Sequence, residues 1–287
     1  DIIPLEKLSS MLAWLQRLGP DWFAGYKRTR QIADGGMARV YQGEDPAGGT
    51  EVVIKILKPS KIGRKKGSLW EGEISKRIKH PNLVETYACG TKRGNPFLVM
   101  EKLDDPCLKE RTKKQDASLK GRRLEILKGV AEGLRYMHKR GLIHRDFSSR
   151  NVMFRNGCPV IIDFGLTISK LDKLKPTADR RGTPGYMAPE LVLKNQVDVR
   201  SDVYAFGVVM YETATGKHPF PGGGGLDSMQ KNIRVDPKSP SEVKADISQP
   251  VDRIILKAMH KSPDQRYQDM GKVLEELTRL SEDDFGA

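Results

Sequence analysis

Cysteine is scarce in this chain. Cys89, Cys107 and Cys158 are the three present in 287 residues. They are scattered, odd in number and never spaced as Cys-x-x-Cys, so neither a disulfide framework nor a cysteine zinc site is indicated. A reducing compartment, and with it a cytoplasmic location, is the expectation. Aromatic residues make up 7% of the chain, and none interleaves with the basic clusters as a stacking platform for single-stranded nucleic acid requires. Apolar runs long enough to cross a bilayer as a helix are missing too, and a soluble chain is expected. The chain opens on Asp rather than Met and shows no signal peptide, from which we expect a piece excised from a longer protein.

Acid is the other deficit. Thirty-seven Asp and Glu stand against 50 Lys and Arg, a formal net charge of +13. That excess attracts polyanions of every kind and therefore identifies none. Lys58, Lys61, Arg64, Lys65 and Lys66 fall between two predicted elements, with further clusters at Lys109–Lys114 and Lys120–Arg123. Such clusters read as solvated faces, and nucleic acid is not the expected partner.

What remains is ordinary globular sequence. At 38% apolar content the chain can bury a core as one large domain or two modest lobes. From Ile2 to Leu18, Leu5, Leu8, Leu12 and Leu15 recur at helical spacing, with Met11, Trp14 and Leu18 widening the stripe before Gly19-Pro20. An amphipathic helix results, which docks in cis, pairs with another copy or binds another part of the parent protein. Tyr26 to Tyr41, Glu51 to Lys55 and Pro96 to Leu103 read as strands, Ser68 to Lys79 and Leu119 to His138 as helices. The second of these helices carries Leu124, Leu127, Val130, Ala131, Leu134 and Met137 on one stripe. A further amphipathic helix is expected near Met229, after the glycine run at 222–225.

The most informative stretch is Leu142 to Gly165. It holds His144-Arg145-Asp146, then Asn151 five residues after the aspartate, then Asp163-Phe164-Gly165. Asn156-Gly157 between apolar runs predicts a tight hairpin that returns Asp163 to the side of Asn151. In this order and at this separation the motifs resemble the catalytic loop and metal-binding motif of eukaryotic-like protein kinases, in their bacterial serine/threonine form. The likeness extends from about Tyr26 to Leu280, so an α+β, two-lobed fold is expected: an amino-terminal extension over 1–25, a β-rich lobe over 26–102 and a mainly helical lobe over 103–287.

The resemblance implies a set of roles. Asp146 orients the accepting hydroxyl and takes its proton, while Asn151 and Asp163 hold Mg²⁺ or Mn²⁺. Lys55 carries the α- and β-phosphates of ATP and pairs with Glu71, or alternatively Glu73. The glycine-rich hairpin over the phosphates is degraded to Ala33, Gly35 and Ala38, so a stiffer lid and weaker nucleotide affinity are expected. Val40 and Val53 pack on the adenine, Met100 guards the rear of its pocket, the backbone of Glu101 and Leu103 meets the purine edge, and Met153 forms the floor. Three positions are implied as structural: Asp202 beneath the catalytic loop, and Glu190 paired with Arg266. The partner is a protein substrate, with autophosphorylation and self-association through the first helix as further expectations.

Departures from the family pattern leave alternatives open. Ser148 stands where serine/threonine kinases carry a lysine that neutralises the transferred phosphate. Arg150 stands where tyrosine kinases carry an arginine, and can restore that charge. Thr183-Pro184-Gly185 is nevertheless the serine/threonine style of substrate platform, so serine/threonine transfer is expected and dual specificity is the alternative. Ser75 replaces an apolar residue one turn after Glu71, which with the altered lid and Ser148 keeps a pseudokinase in view. Asp179 occupies the place of an activating phosphothreonine and would pair with Arg145, with Thr177 nearby as an autophosphorylation site.

Overall fold

The computed structural model describes residues 19–36, 38–58, 72, 74–104, 106–165, 167–169, 182–194, 196–222 and 225–286. The expected amino-terminal helix, Glu71, Glu73, Thr177 and Asp179 lie outside the described residues. Two compact units emerge, one running through Lys79 and resuming over Val84–Lys102, the other joining His80–Leu83 to Leu103 and all that follows. His80–Leu83 goes with the second unit because Asn82 is sewn into it: its carbonyl accepts the Ile161 N–H at 2.9 Å and its amide donates to the Pro159 carbonyl at 2.8 Å.

The first unit is a six-stranded antiparallel sheet in the order β1-β2-β3-β4-β6-β5. Its strands are β1 (Trp22–Phe23), β2 (Tyr26–Asp34), β3 (Ala38–Glu44), β4 (Glu51–Leu57), β5 (Thr86–Lys92) and β6 (Asn95–Glu101). The sheet therefore begins at Trp22, ahead of the Tyr26 boundary expected from the sequence. β1 is too short to show an alternation, yet Phe23 is buried and packs with Val52, Ile54, Phe97 and Val99 on one face. The helix expected to reach Lys79 stops at Arg77.

In the second unit, α1 (Leu108–Lys113), α2 (Arg123–Lys139), α3 (Pro189–Lys194), α4 (Val199–Thr215), α5 (Gly225–Arg234), α6 (Pro240–Val243), α7 (Gln249–Ala258) and α8 (Met270–Leu277) accompany two short strand pairings among the described residues. The stripe of α2 is buried at all of its expected positions. This helix begins at Arg123 rather than Leu119. The Asp116 side chain accepts the Ser118 N–H at 2.8 Å and starts a separate short turn over Ala117–Leu119. α4 is buried on every side, from Ser201 to Ala214. Its start is fixed by Asp198, which accepts the Arg200 N–H at 2.7 Å as an N-cap.

Two pairings set the catalytic stretch. β8 (Val152–Arg155) and β9 (Cys158–Ile161) form the expected hairpin, with Arg155 opposite Cys158. Asn156 and Gly157 both take positive φ, 50° and 80°, as the mirror-image turn that suits a twisted hairpin demands. β7 (Leu142–Ile143) pairs with β10 (Ile168–Ser169), so the chain after Asp163-Phe-Gly lies beside the chain entering His144.

Candidate active site

Pairing register, more than any single contact, assembles the catalytic stretch. With Val152 opposite Ile161 and the Ile162 N–H donating to the Asn151 carbonyl at 2.9 Å, Asn151 and Asp163 come to the same end of the hairpin. Both sit just outside the strands, Asn151 at the end of a 3₁₀ turn over Ser149–Asn151 and Asp163 in the loop after Ile161. The Asn151 amide nitrogen donates to the Asp146 carbonyl at 2.7 Å, which ties that end of the hairpin to the loop carrying Asp146. One Asp163 oxygen accepts the Gly165 N–H at 3.1 Å.

Asp146 is held from the far side of the sequence. Its Oδ1 accepts both the backbone N–H and the hydroxyl of Thr183, each at 2.7 Å. Among the described residues, Oδ2 has no donor. A half-buried carboxylate with one oxygen fixed and the other open can orient a hydroxyl and accept its proton. Arg145 and Asp163, neither a glycine, adopt φ of 69° and 67°. Two such left-handed residues in one loop cluster mark strain of the kind that structures hold at functional positions.

Beneath this loop the polar groups are buried and paired. Asp202, 1% exposed, accepts the N–H groups of His144 at 2.8 Å and Arg145 at 3.0 Å and contacts His138 Nε2 at 2.8 Å. Burial alone would raise its pKa, but the His138 ring, with His144 beside it, outweighs burial and holds the carboxyl below the usual range. The His144 ring stacks edge-on to Phe147 at 5.7 Å and lies 6.0 Å from Phe164, so apolar packing fixes what no hydrogen bond to that ring does among the described residues.

A second buried network was not visible in the sequence. Glu212 accepts from Ser149 and Tyr186 on one oxygen, both at 2.6 Å, and from Lys109 on the other at 2.6 Å. It joins the catalytic loop to the chain around Tyr186. Its members are spread over Lys109 to Glu212, and no local pattern announces them. Burial and the adjoining Glu212 push the Tyr186 hydroxyl far above its ordinary pKa, so it serves as a neutral donor. Ser148 is buried, 1% exposed, whereas Arg150 is exposed. The Glu190–Arg266 pair is present as a two-pronged contact at 2.9 and 2.7 Å, with the Arg266 side chain fully buried.

In the first unit, the register brings several expected nucleotide residues to one face. Val40 lies opposite Lys55, Lys55 opposite Leu98, Val53 opposite Met100, and Ala33 opposite Val40. Residues opposite or two apart in antiparallel strands share a face, which here is the one turned away from the Phe23 core. Lys55 is half-buried there. Gly35 closes the hairpin, its N–H donating to the Ala38 carbonyl at 2.9 Å. The Glu101 N–H is taken by the Glu85 carbonyl at 3.0 Å, so a purine contact at Glu101 falls to its carbonyl. Leu103 and Met153 belong to the second unit, buried and half-buried.

Among the described residues, no group of three or more His, Cys, Asp or Glu forms a metal cage. The arrangement instead offers one carboxylate, Asp163, and one amide oxygen, Asn151, which has no donor among the described residues. Hard oxygen ligands in this number suit a divalent ion whose remaining positions are filled by phosphates and water.

Residues 26–277 match the family described as protein kinase domain. A probable serine/threonine-protein kinase of Streptomyces coelicolor is 35% identical over 251 residues, 83% of this chain and 37% of its own length. The serine/threonine-protein kinase PknB of Mycolicibacterium smegmatis is 32% identical over 271 residues, 90% of this chain and 43% of its own. PknB of Mycobacterium tuberculosis is 31% identical over 269 residues, 89% and 42% respectively. The chain belongs to the protein kinase family, among the bacterial eukaryotic-like serine/threonine kinases. It spans about two fifths of the length of these curated relatives. Members of the family use ATP and a divalent metal and act on protein substrates. No helix among the described residues is long and apolar enough to cross a membrane.

Proposed function

We propose that this domain transfers the γ-phosphate of ATP to serine and threonine hydroxyls of proteins, its own chain included, with Mg²⁺ or Mn²⁺ held by Asn151 and Asp163. The observation that carries the reading is the Asp146 carboxylate, fixed through Oδ1 by Thr183 and open at Oδ2, with Asn151 anchored to its backbone. Asp146 orients the hydroxyl and takes its proton. Thr183 and the Asp202 tether hold that carboxylate without reorganisation, and positioning supplies most of what this reaction asks of a protein. Lys55 is assigned to the phosphates as a point charge, with Glu71 its proposed partner. Val40, Val53 and Met100 are assigned to the base, together with the Glu101 carbonyl, Leu103 and Met153. The metal, when bound, neutralises charge on the phosphates.

Incubation with radiolabelled ATP, metal and a protein substrate tests this directly. Asp146→Asn is expected to lower transfer roughly 10²–10⁴-fold while leaving the thermal midpoint within a few degrees, with label on phosphoserine and phosphothreonine. Equal transfer by the two proteins, or label confined to phosphotyrosine, would sink the reading. We also assign the domain to the cytoplasm, a placement supported by free Cys89, Cys107 and Cys158.

A further inference from the structure

A cavity of about 500 Å³ opens beside Asp146, entirely within the second unit. Thr183, whose N–H and hydroxyl bind the Asp146 carboxylate at 2.7 Å, forms part of its wall. A peptide whose hydroxyl reaches Asp146 therefore places a neighbouring residue here. The walls are aromatic: the His218 ring stands edge-on to Tyr186 at 5.5 Å and lies 6.2 Å from Phe220. Gly185 lets the ring come this close, since a Cβ there would meet His218 Nε2 at 2.7 Å.

The charges of this cavity do not cancel. Lys109 is neutralised by Glu212 at 2.6 Å, and that acid's other oxygen is filled by Ser149 and Tyr186. Burial lowers the His218 pKa and keeps the ring neutral at physiological pH. Arg150 is exposed and makes no hydrogen bond or ion pair among the described residues. Among the described lining residues, it is the charge left to meet a ligand.

We infer that Arg150 is a specificity-determining residue, which takes an anionic side chain of the protein substrate, carboxylate or phosphorylated, lying close to the accepting hydroxyl. The inference rests on the function proposed above and deepens it. A guanidinium offers paired donors to either anion, and such a two-pronged, charge-assisted contact is stronger than a single neutral hydrogen bond.

A serine peptide scanned with Asp, phosphoserine, Ala or Lys at each flanking position tests it. For the unsubstituted domain, kcat/KM is expected to favour Asp over Ala about 5- to 30-fold at one position, mainly through KM. The phosphoserine arm shows which anion is preferred. Arg150→Gln should erase the ratio, Arg150→Glu should turn it toward Lys, and Arg150→Lys should keep part of it. A ratio unchanged in Arg150→Gln, no acid preference anywhere, or a kcat loss equal for every peptide would overturn the inference, the last by assigning Arg150 to the transferred phosphate. Fluorescence anisotropy of the same peptides reads the preference without turnover. A domain that transfers nothing thus refutes the proposed function, while the binding ratio still decides for or against Arg150.

Discussion

Asp202 shows how one buried carboxylate can hold a loop in place. Its two oxygens take the N–H groups of His144 and Arg145, the second of these a residue in left-handed conformation. Since its folded pKa lies below the ordinary 3.8, its stabilising effect is complete above that value and is lost as pH falls through the lower, folded one. Replacing it by Asn puts an NH₂ where an acceptor is needed and is expected to cost about 1–3 kcal/mol at pH 7. The difference from the unsubstituted protein should shrink below about pH 4. Urea unfolding at both pH values checks this, and a pH-independent difference would mean that the charge plays no part. Asp202, Glu190 and Arg266 were legible because a motif marks each. Glu212 was not, because its partners Lys109, Ser149 and Tyr186 meet it only after folding.

Elements were legible where a local rule dictates them. Asn156-Gly157 announces its hairpin because that turn needs two positive φ angles in a row, and the stripe of α2 announces a helix with one wet face. α4 escaped notice because a helix buried all round carries no stripe. In α2 two opposing effects can be weighed at Gly129. An alanine there should gain up to about 1 kcal/mol of helix propensity. Its Cβ, however, would stand 2.7 Å from Pro159 Cγ and 2.9 Å from the Asn82 amide, groups pinned by their own hydrogen bond, and overpacking of this kind costs about 1–3 kcal/mol. Packing wins. Gly129→Ala is expected to lower the midpoint of thermal unfolding by a few degrees, and a rise would show that Asn82 yields.

At the scale of the whole molecule the charge of +13 complicates any nucleotide measurement. A polyanion stabilises such a surface whether or not a site exists, so a bare thermal shift with ATP proves little. Salt separates the two effects, because surface attraction is screened within about 8 Å at physiological ionic strength while a built site is screened far less. With ATP and Mg²⁺ at about a hundred times the dissociation constant, binding adds about 2.7 kcal/mol, a rise of roughly 5–10 °C for a chain of this size. The rise should survive 0.3 M salt and fall to a smaller, metal-free value in EDTA. Asp163→Asn should show that smaller value even with Mg²⁺ present, because the lost carboxylate is the one charged metal ligand assigned here. A shift equal in Mg²⁺ and EDTA and abolished by salt would instead mean that the basic surface alone holds the nucleotide, and that Asn151 and Asp163 hold no metal.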